Sequence, residues 1–183
     1  MNDLGERLER AGAYEYGIVD TRDVEFREDV RAMCAENKCK QYGKSWACPP
    51  AIGTVDECRA RALGYAKMLV FSRKSVLDDS YDFDGMREAM RGFKGVAERL
   101  DEELRPIFKD YLVLSNEGCG KCNGCTYPDA PCRFPDKVHG SLEGYGILVS
   151  DLAKLAGVKY YNGKDTVTFF GAALFNEPVK AGG

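Results

Sequence analysis

The chain has 183 residues, with 26 Lys and Arg against 29 Asp and Glu, a formal net charge of −3, and 44% hydrophobic against 30% charged residues. This is an ordinary globular balance, and it argues against nonspecific nucleic-acid binding or attachment to an anionic membrane as the main task. The length suits one domain spanning 1–183, no apolar run approaches a transmembrane helix, and the start from Met1 to Arg7 lacks the basic-then-apolar pattern of an export signal.

In chain order, Asp3, Leu4, Leu8 and Ala11 mark a short helix over 3–12 that stops at Gly12. Residues 14–20 alternate as a strand, Asp23 to Phe26 read as a second short extended piece, and 27–35 as a helix ending near Cys34. Thr54 and Glu57 form a capping box that starts a helix at Val55, whose apolar face carries Cys58 together with Ala62 and Tyr65. Met68 to Ser72 is a buried strand. The loop 77–84, with Asp78, Asp79, Asp82 and Asp84, reads as a solvated loop and helix cap, since the terminal glutamate of a calcium loop is missing. Met86, Met90, Phe93, Ala97, Leu100 and Leu104 repeat at steps of four and three, so a long amphipathic helix runs to Pro106. Tyr111 to Ser115 is a buried strand that leads into Cys119, which completes a strand–helix–strand unit. A helix from Ser141 or Leu142 to Gly157 follows. Val158–Tyr161 and Thr166–Phe170 read as strands of a hairpin turned at Asn162-Gly163, with strand or loop to Phe175 and a frayed tail over Val179–Gly183. The set predicts an α+β fold, a ferredoxin-like or related sheet with helices on one face, and cysteine-rich metal loops at about 34–58 and 119–135 at one end of it.

Those loops hold all eight cysteines, and eight cysteines without an export signal point to metal rather than disulfides, hence to a reducing cytoplasm. An anaerobe would suit exposed clusters best. Cys119, Cys122 and Cys125 have the spacing of a bacterial ferredoxin ligand run, and Cys132 follows six residues later. Gly118, Gly120 and Gly124 suit tight backbone, and Pro128, Pro131 and Pro135 stiffen the return and exit. The last gap is longer than in ferredoxin, so Cys132 either closes this cluster or crosses to the other. The first group is Cys34, Cys39 and Cys48, the last followed by two prolines as a ferredoxin ligand is followed by one. Cys58 is either its fourth ligand or a small hydrophobe on a face buried in any case. Disulfides, two zinc sites of four cysteines each, or buried free thiols are the alternatives to iron–sulfur.

Trp46, the one tryptophan, either screens the first group from water or packs in the core. His139, the one histidine, is a surface or capping residue, or a proton donor near a cluster. Lys38, Lys40 and Lys44 crowd the first group, and Lys121, Arg133 and Lys137 the second. They would favour thiolates, or form a basic rim for an acidic partner. No glycine-rich phosphate or dinucleotide motif is present.

The segment from Cys34 through Trp46 to Cys48-Pro49-Pro50, the Cys119–Cys125 run with Pro131-Cys132-Arg133, and the ending Thr166–Phe175 resemble an uncharacterised prokaryotic family of predicted metal-binding proteins, common in anaerobic bacteria and methanogenic archaea. The likeness covers nearly the whole chain. It implies metal binding and no particular reaction. The residues themselves support three readings. The first is two [4Fe–4S] clusters, ligated by Cys34, Cys39, Cys48 and Cys58 and by Cys119, Cys122, Cys125 and Cys132, carrying electrons to a redox partner such as a ferredoxin or reductase. The second is an enzyme with one open-iron cluster acting on a small molecule. The third is a structural zinc module.

Overall fold

The computed structural model describes residues 2–176, with side chains from residue 4; the expected frayed tail over 179–183 lies outside the described residues. Five helices and five strands form in the order α1 (Asn2–Ala11), β1 (Tyr16–Asp20), α2 (Glu28–Ala35), α3 (Val55–Leu63), β2 (Lys67–Val76), α4 (Phe83–Leu104), β3 (Tyr111–Ser115), β4 (Gly140–Ser141), α5 (Val149–Ala156) and β5 (Thr166–Phe175). The strands make one mixed sheet in the order β1-β2-β5-β3-β4. β5 is antiparallel to both neighbours, so β2 and β3 run parallel on either side of it, and β4 adds a parallel edge. The unit β2–α4–β3 is therefore a split strand–helix–strand with β5 inserted, the ferredoxin-like element that the apolar segments imply.

The α+β class holds, and the layering is richer than one helical face. Side chains alternate along a strand. Leu69, Phe71, Val113 and Ala173 pack under α1 and α4 with Leu8, Phe93 and Leu100. Met68, Val70, Leu114 and Ala172 pack on the other side with Cys58 and Ala62 of α3 and Leu152 of α5. Helices thus cover both faces, because both strand registers of β2 and β5 are apolar.

The capping box is present: Thr54 Oγ1 accepts from Glu57 N at 3.2 Å, and Glu57 Oε2 from Thr54 N at 2.7 Å. The aspartate loop is a turn and cap, with Asp82 Oδ1 accepting from Gly85 N at 2.8 Å to start α4. Three local expectations fail. Residues 21–23 form a 3₁₀ turn where an extended piece at 23–26 was expected. The helix before Gly157 begins at Val149 rather than near 141, since Gly144 packs against Ser141 and Ile52, and Gly146 takes a positive φ. Residues 158–161 form no strand. β2 takes one edge of β5 along all ten of its residues and β3 the other at 172–175, and 158–161 runs as irregular chain without pairing to the rest of that edge. Asn162 instead closes a loop, its Nδ2 donating to Lys159 O and Thr168 Oγ1.

β3 and β4 run parallel toward one end of the sheet, where the residues after Ser115 and before Gly140 are the second cysteine loop. The first cysteine loop reaches the same end, Ser141 N donating to Ala47 O at 3.3 Å.

Candidate metal centre

Cys34 is in the last turn of α2, which leaves its thiol at the edge of the loop that follows. That loop curls through Asn37, Lys40 and Gly43, all at positive φ, and Asn37 Oδ1 accepts from Tyr42 N at 3.0 Å. Cys39 lies on this curl. Gly43 N donates to Pro49 O at 2.8 Å, which folds Cys48 back toward it. Cys34, Cys39 and Cys48 consequently line one cavity of about 210 Å³, together with Tyr42, Glu117 and Glu143. Cys58 is elsewhere. It is fully buried in the apolar layer under α5, and its Sγ donates to Ile52 O at 3.4 Å. Arg61 also reaches Ile52 O, and donates to the Tyr145 hydroxyl at 2.7 Å. Of the four cysteines expected for the first site, the fold gathers three.

The second group follows β3. Gly118 and Gly120 take positive φ as their positions require, whereas Gly124 does not. Cys119, Cys122, Cys125 and Cys132 line a larger cavity of about 790 Å³, whose far wall includes Met86 and Phe169. The return loop is held by Thr126 Oγ1 donating to Pro131 O at 2.9 Å and Arg133 donating to Gly124 O at 2.9 Å. Phe134 N donates to Cys132 Sγ at 3.4 Å.

Cys39 lines both cavities, so the two groups adjoin. Gly118 and Trp46 join them. Gly118 N, on the way into the second group, donates to Cys48 Sγ of the first at 3.3 Å. Trp46 Nε1 donates to Ala130 O at 3.3 Å and meets the Tyr127 ring edge-on at 4.9 Å, so it ties the first loop to the second and does not pack in the core. Lys94 of α4 holds the approach to the second group, its Nζ donating to Asn116 Oδ1 at 3.1 Å and to the carbonyls of Glu117 and Gly118 at 2.7 Å each, and its charge acts on both Cys48 and Cys119.

All eight cysteines are unbridged. Among the described residues, no three Cys, His, Asp or Glu side chains are arranged to hold one metal ion as they stand. Burial pushes the Cys48 thiol up to about 11, against the Gly118 N–H that favours its anion. Burial likewise raises Cys34, with the Glu143 charge adding to it, and Cys119, with Lys121 and Lys94 opposing. The basic residues therefore do not by themselves produce thiolates at these positions, and a bound cation is what would. Burial pushes Glu143 up to about 7 and pulls the Lys94 ammonium below its usual value.

His139 is not at a helix start and lines neither of these two cavities, but it shares a third, of about 10 Å³, with Cys119 and Lys121. Its Nε2 is 3.9 Å from Asp101 Oδ2. Sequence reasoning missed Lys94, Glu117, Glu143 and the Gly118 N–H. Lys94 stands one position after Phe93 in the α4 repeat and looks like a solvated lysine, and Glu143 falls in a stretch that reads as helix.

Fold and site together define an α+β protein with seven cysteines gathered in adjoining cavities at one end of its sheet. The chain matches, over residues 17–175, the model of a family described as predicted metal-binding protein (DUF2284), and it belongs to that family. No curated protein and no solved structure matches it. No helix among the described residues is long and apolar enough to cross a membrane.

Proposed function

We propose that the chain is an iron–sulfur protein that holds two [4Fe–4S] clusters side by side and passes electrons between redox partners in a reducing cytoplasm. The observation that carries this reading is the adjoining pair of cysteine cavities, one with the ferredoxin ligand run, which share Cys39 and are bridged by the Gly118–Cys48 hydrogen bond. Their volumes support a polynuclear group over a single ion. One water needs only about 10–15 Å³ of such space, so even the smaller cavity has room for a group several atoms across. Bound there, the clusters supply one-electron chemistry. The chain holds the ligand loops, donates the Gly118 and Phe134 N–H groups to ligand sulfurs, and places Lys94 where its charge acts on both Cys48 and Cys119. N–H donors and positive charge both favour the reduced state of a cluster. Lys38, Lys44 and Arg133 in the lining suit an acidic partner such as a ferredoxin or reductase.

A second reading, an enzyme acting on a small molecule, is supported by the larger cavity. Phe83, Met86, Met90 and Phe169 line it together with the cysteines, as do Arg87 and Lys44, a lining that suits a small, partly apolar anion. Anaerobically purified protein should be brown, bleach with dithionite, and recover its colour as a ferredoxin-type acceptor is reduced. A colourless zinc protein without acid-labile sulfide contradicts both iron readings. A coloured protein that gives no electrons to such acceptors, but changes its spectrum with small organic anions, moves the assignment to the enzyme.

A further inference from the structure

We propose that the first metal group is completed by the carboxylate of Glu143, and not by Cys58. The inference rests on the metal-binding reading above and concerns which residue closes the site. Cys34, Cys39 and Cys48 leave a four-ligand site one short. Glu143 lines their cavity and its charge acts on the Cys34 thiol. Among the described residues no side chain of another residue donates to its carboxyl, whose one hydrogen bond comes from its own backbone N–H.

The backbone that carries Glu143 is fixed to the elements that carry the cysteines. Glu143 opens a 3₁₀ turn, Glu143–Tyr145, directly after β4. Gly144 N donates to Ser141 Oγ at 3.1 Å, and Ser141 N donates to the carbonyl of Ala47, the residue before Cys48. Arg31 donates to Gly144 O from α2, three residues before Cys34 on the same helix. Leu142 N donates to Ser115 O at 3.1 Å, at the end of β3. Backbone held this way from several directions fixes the point from which the Glu143 side chain enters the cavity.

Cys58 has no comparable freedom. It is fully buried in the apolar layer, its Sγ donates to Ile52 O, and the guanidinium groups of Arg31 and Arg61 lie beside it. It sits in the first turn of α3, which the Thr54–Glu57 capping box holds. A carboxylate in place of one thiolate makes that iron harder and more exchangeable, because oxygen ligands suit hard cations and thiolates soft ones.

The test compares Glu143→Gln, which keeps shape and removes the anionic ligand, with Cys58→Ala, purified anaerobically and checked for folding by thermal melting. Glu143→Gln should hold about one iron fewer than the unaltered protein, with sulfide unchanged and a three-iron paramagnetic signal when oxidised. Cys58→Ala should keep full iron. If Cys58→Ala does not fold, Cys58→Ser, whose hydroxyl can still donate to Ile52 O, takes its place. Loss of iron from a folded Cys58 variant, or full iron and an unchanged spectrum in Glu143→Gln, overturns the assignment. An unaltered protein that carries zinc and no sulfide fails the iron–sulfur reading separately. Bound zinc then reads the same comparison, a loss in Glu143→Gln alone supporting the ligand and any other pattern overturning it.

Discussion

Asp101 shows how a single buried charge is held in place here. Its side chain, on the last turns of α4, accepts from the Tyr111 hydroxyl at 2.7 Å and from Arg105 at 2.9 Å, with His139 at 3.9 Å. Burial opposes its ionisation, but His139, Tyr111 and Arg105 outweigh burial and bring the carboxyl from 3.8 to about 2. A carboxyl depressed on folding stabilises the folded state above its unfolded pKa, and that contribution disappears as pH falls through the folded value. It is worth about 2 kcal/mol at neutral pH. Asp101→Asn should lower the melting temperature by about 4–8 °C at pH 7, with the gap closing between about pH 4 and 2. A gap that stays constant down to pH 2 would show that the loss is packing and not charge. At this scale much of the site was illegible beforehand. The cysteine spacing names seven residues that the fold gathers, whereas Lys94 and Glu143 matter only because α4 and the turn after β4 bring them against loops distant in the chain.

Among the elements, those whose signals are local were readable and those that depend on contacts distant in the chain were not. The capping box set the start of α3, and the four-and-three repeat found α4 apart from its first turn. The Asn162-Gly163 pair looked like a hairpin turn, but Asn162 Nδ2 donates to Lys159 O and to Thr168 Oγ1 and closes a loop in place of a strand pair. Helix α5 docks on β1 through Gly17, where an added Cβ would lie 2.0 Å from Ala156 O. Backbone cannot yield there without shifting the helix, so Gly17→Ala should cost about 1–3 kcal/mol by chemical denaturation. Wild-type stability in that variant would mean that α5 is not seated as described. Trp46 is the clasp between the two loops. Trp46→Ala removes one hydrogen bond and one ring pair, about 1–3 kcal/mol of local stability, and should admit protease cleavage within 119–135 while the melting of the sheet is unchanged. Equal protection of that loop in the variant would show that the clasp carries no weight.

For the whole molecule, the two apolar layers and the cysteine loops are separable sources of stability. Neither layer draws on the loops over 37–46 or 119–137, so the sheet and its helices should fold without metal. The loops bury little apolar surface, and metal ligation supplies the free energy that orders them. Chelator-treated protein should therefore keep its far-ultraviolet spectrum and be cut within the two cysteine loops; full protease resistance there would contradict this. The central claim is that the two cysteine groups hold two adjoining iron–sulfur clusters, and metal analysis of group-specific variants tests it most directly. The unaltered protein, isolated without oxygen, should contain about eight iron and about eight acid-labile sulfide per chain, and a Cys119→Ser, Cys122→Ser double variant about half of each. Iron near zero with stoichiometric zinc, or a double variant that keeps the full complement, would contradict the account.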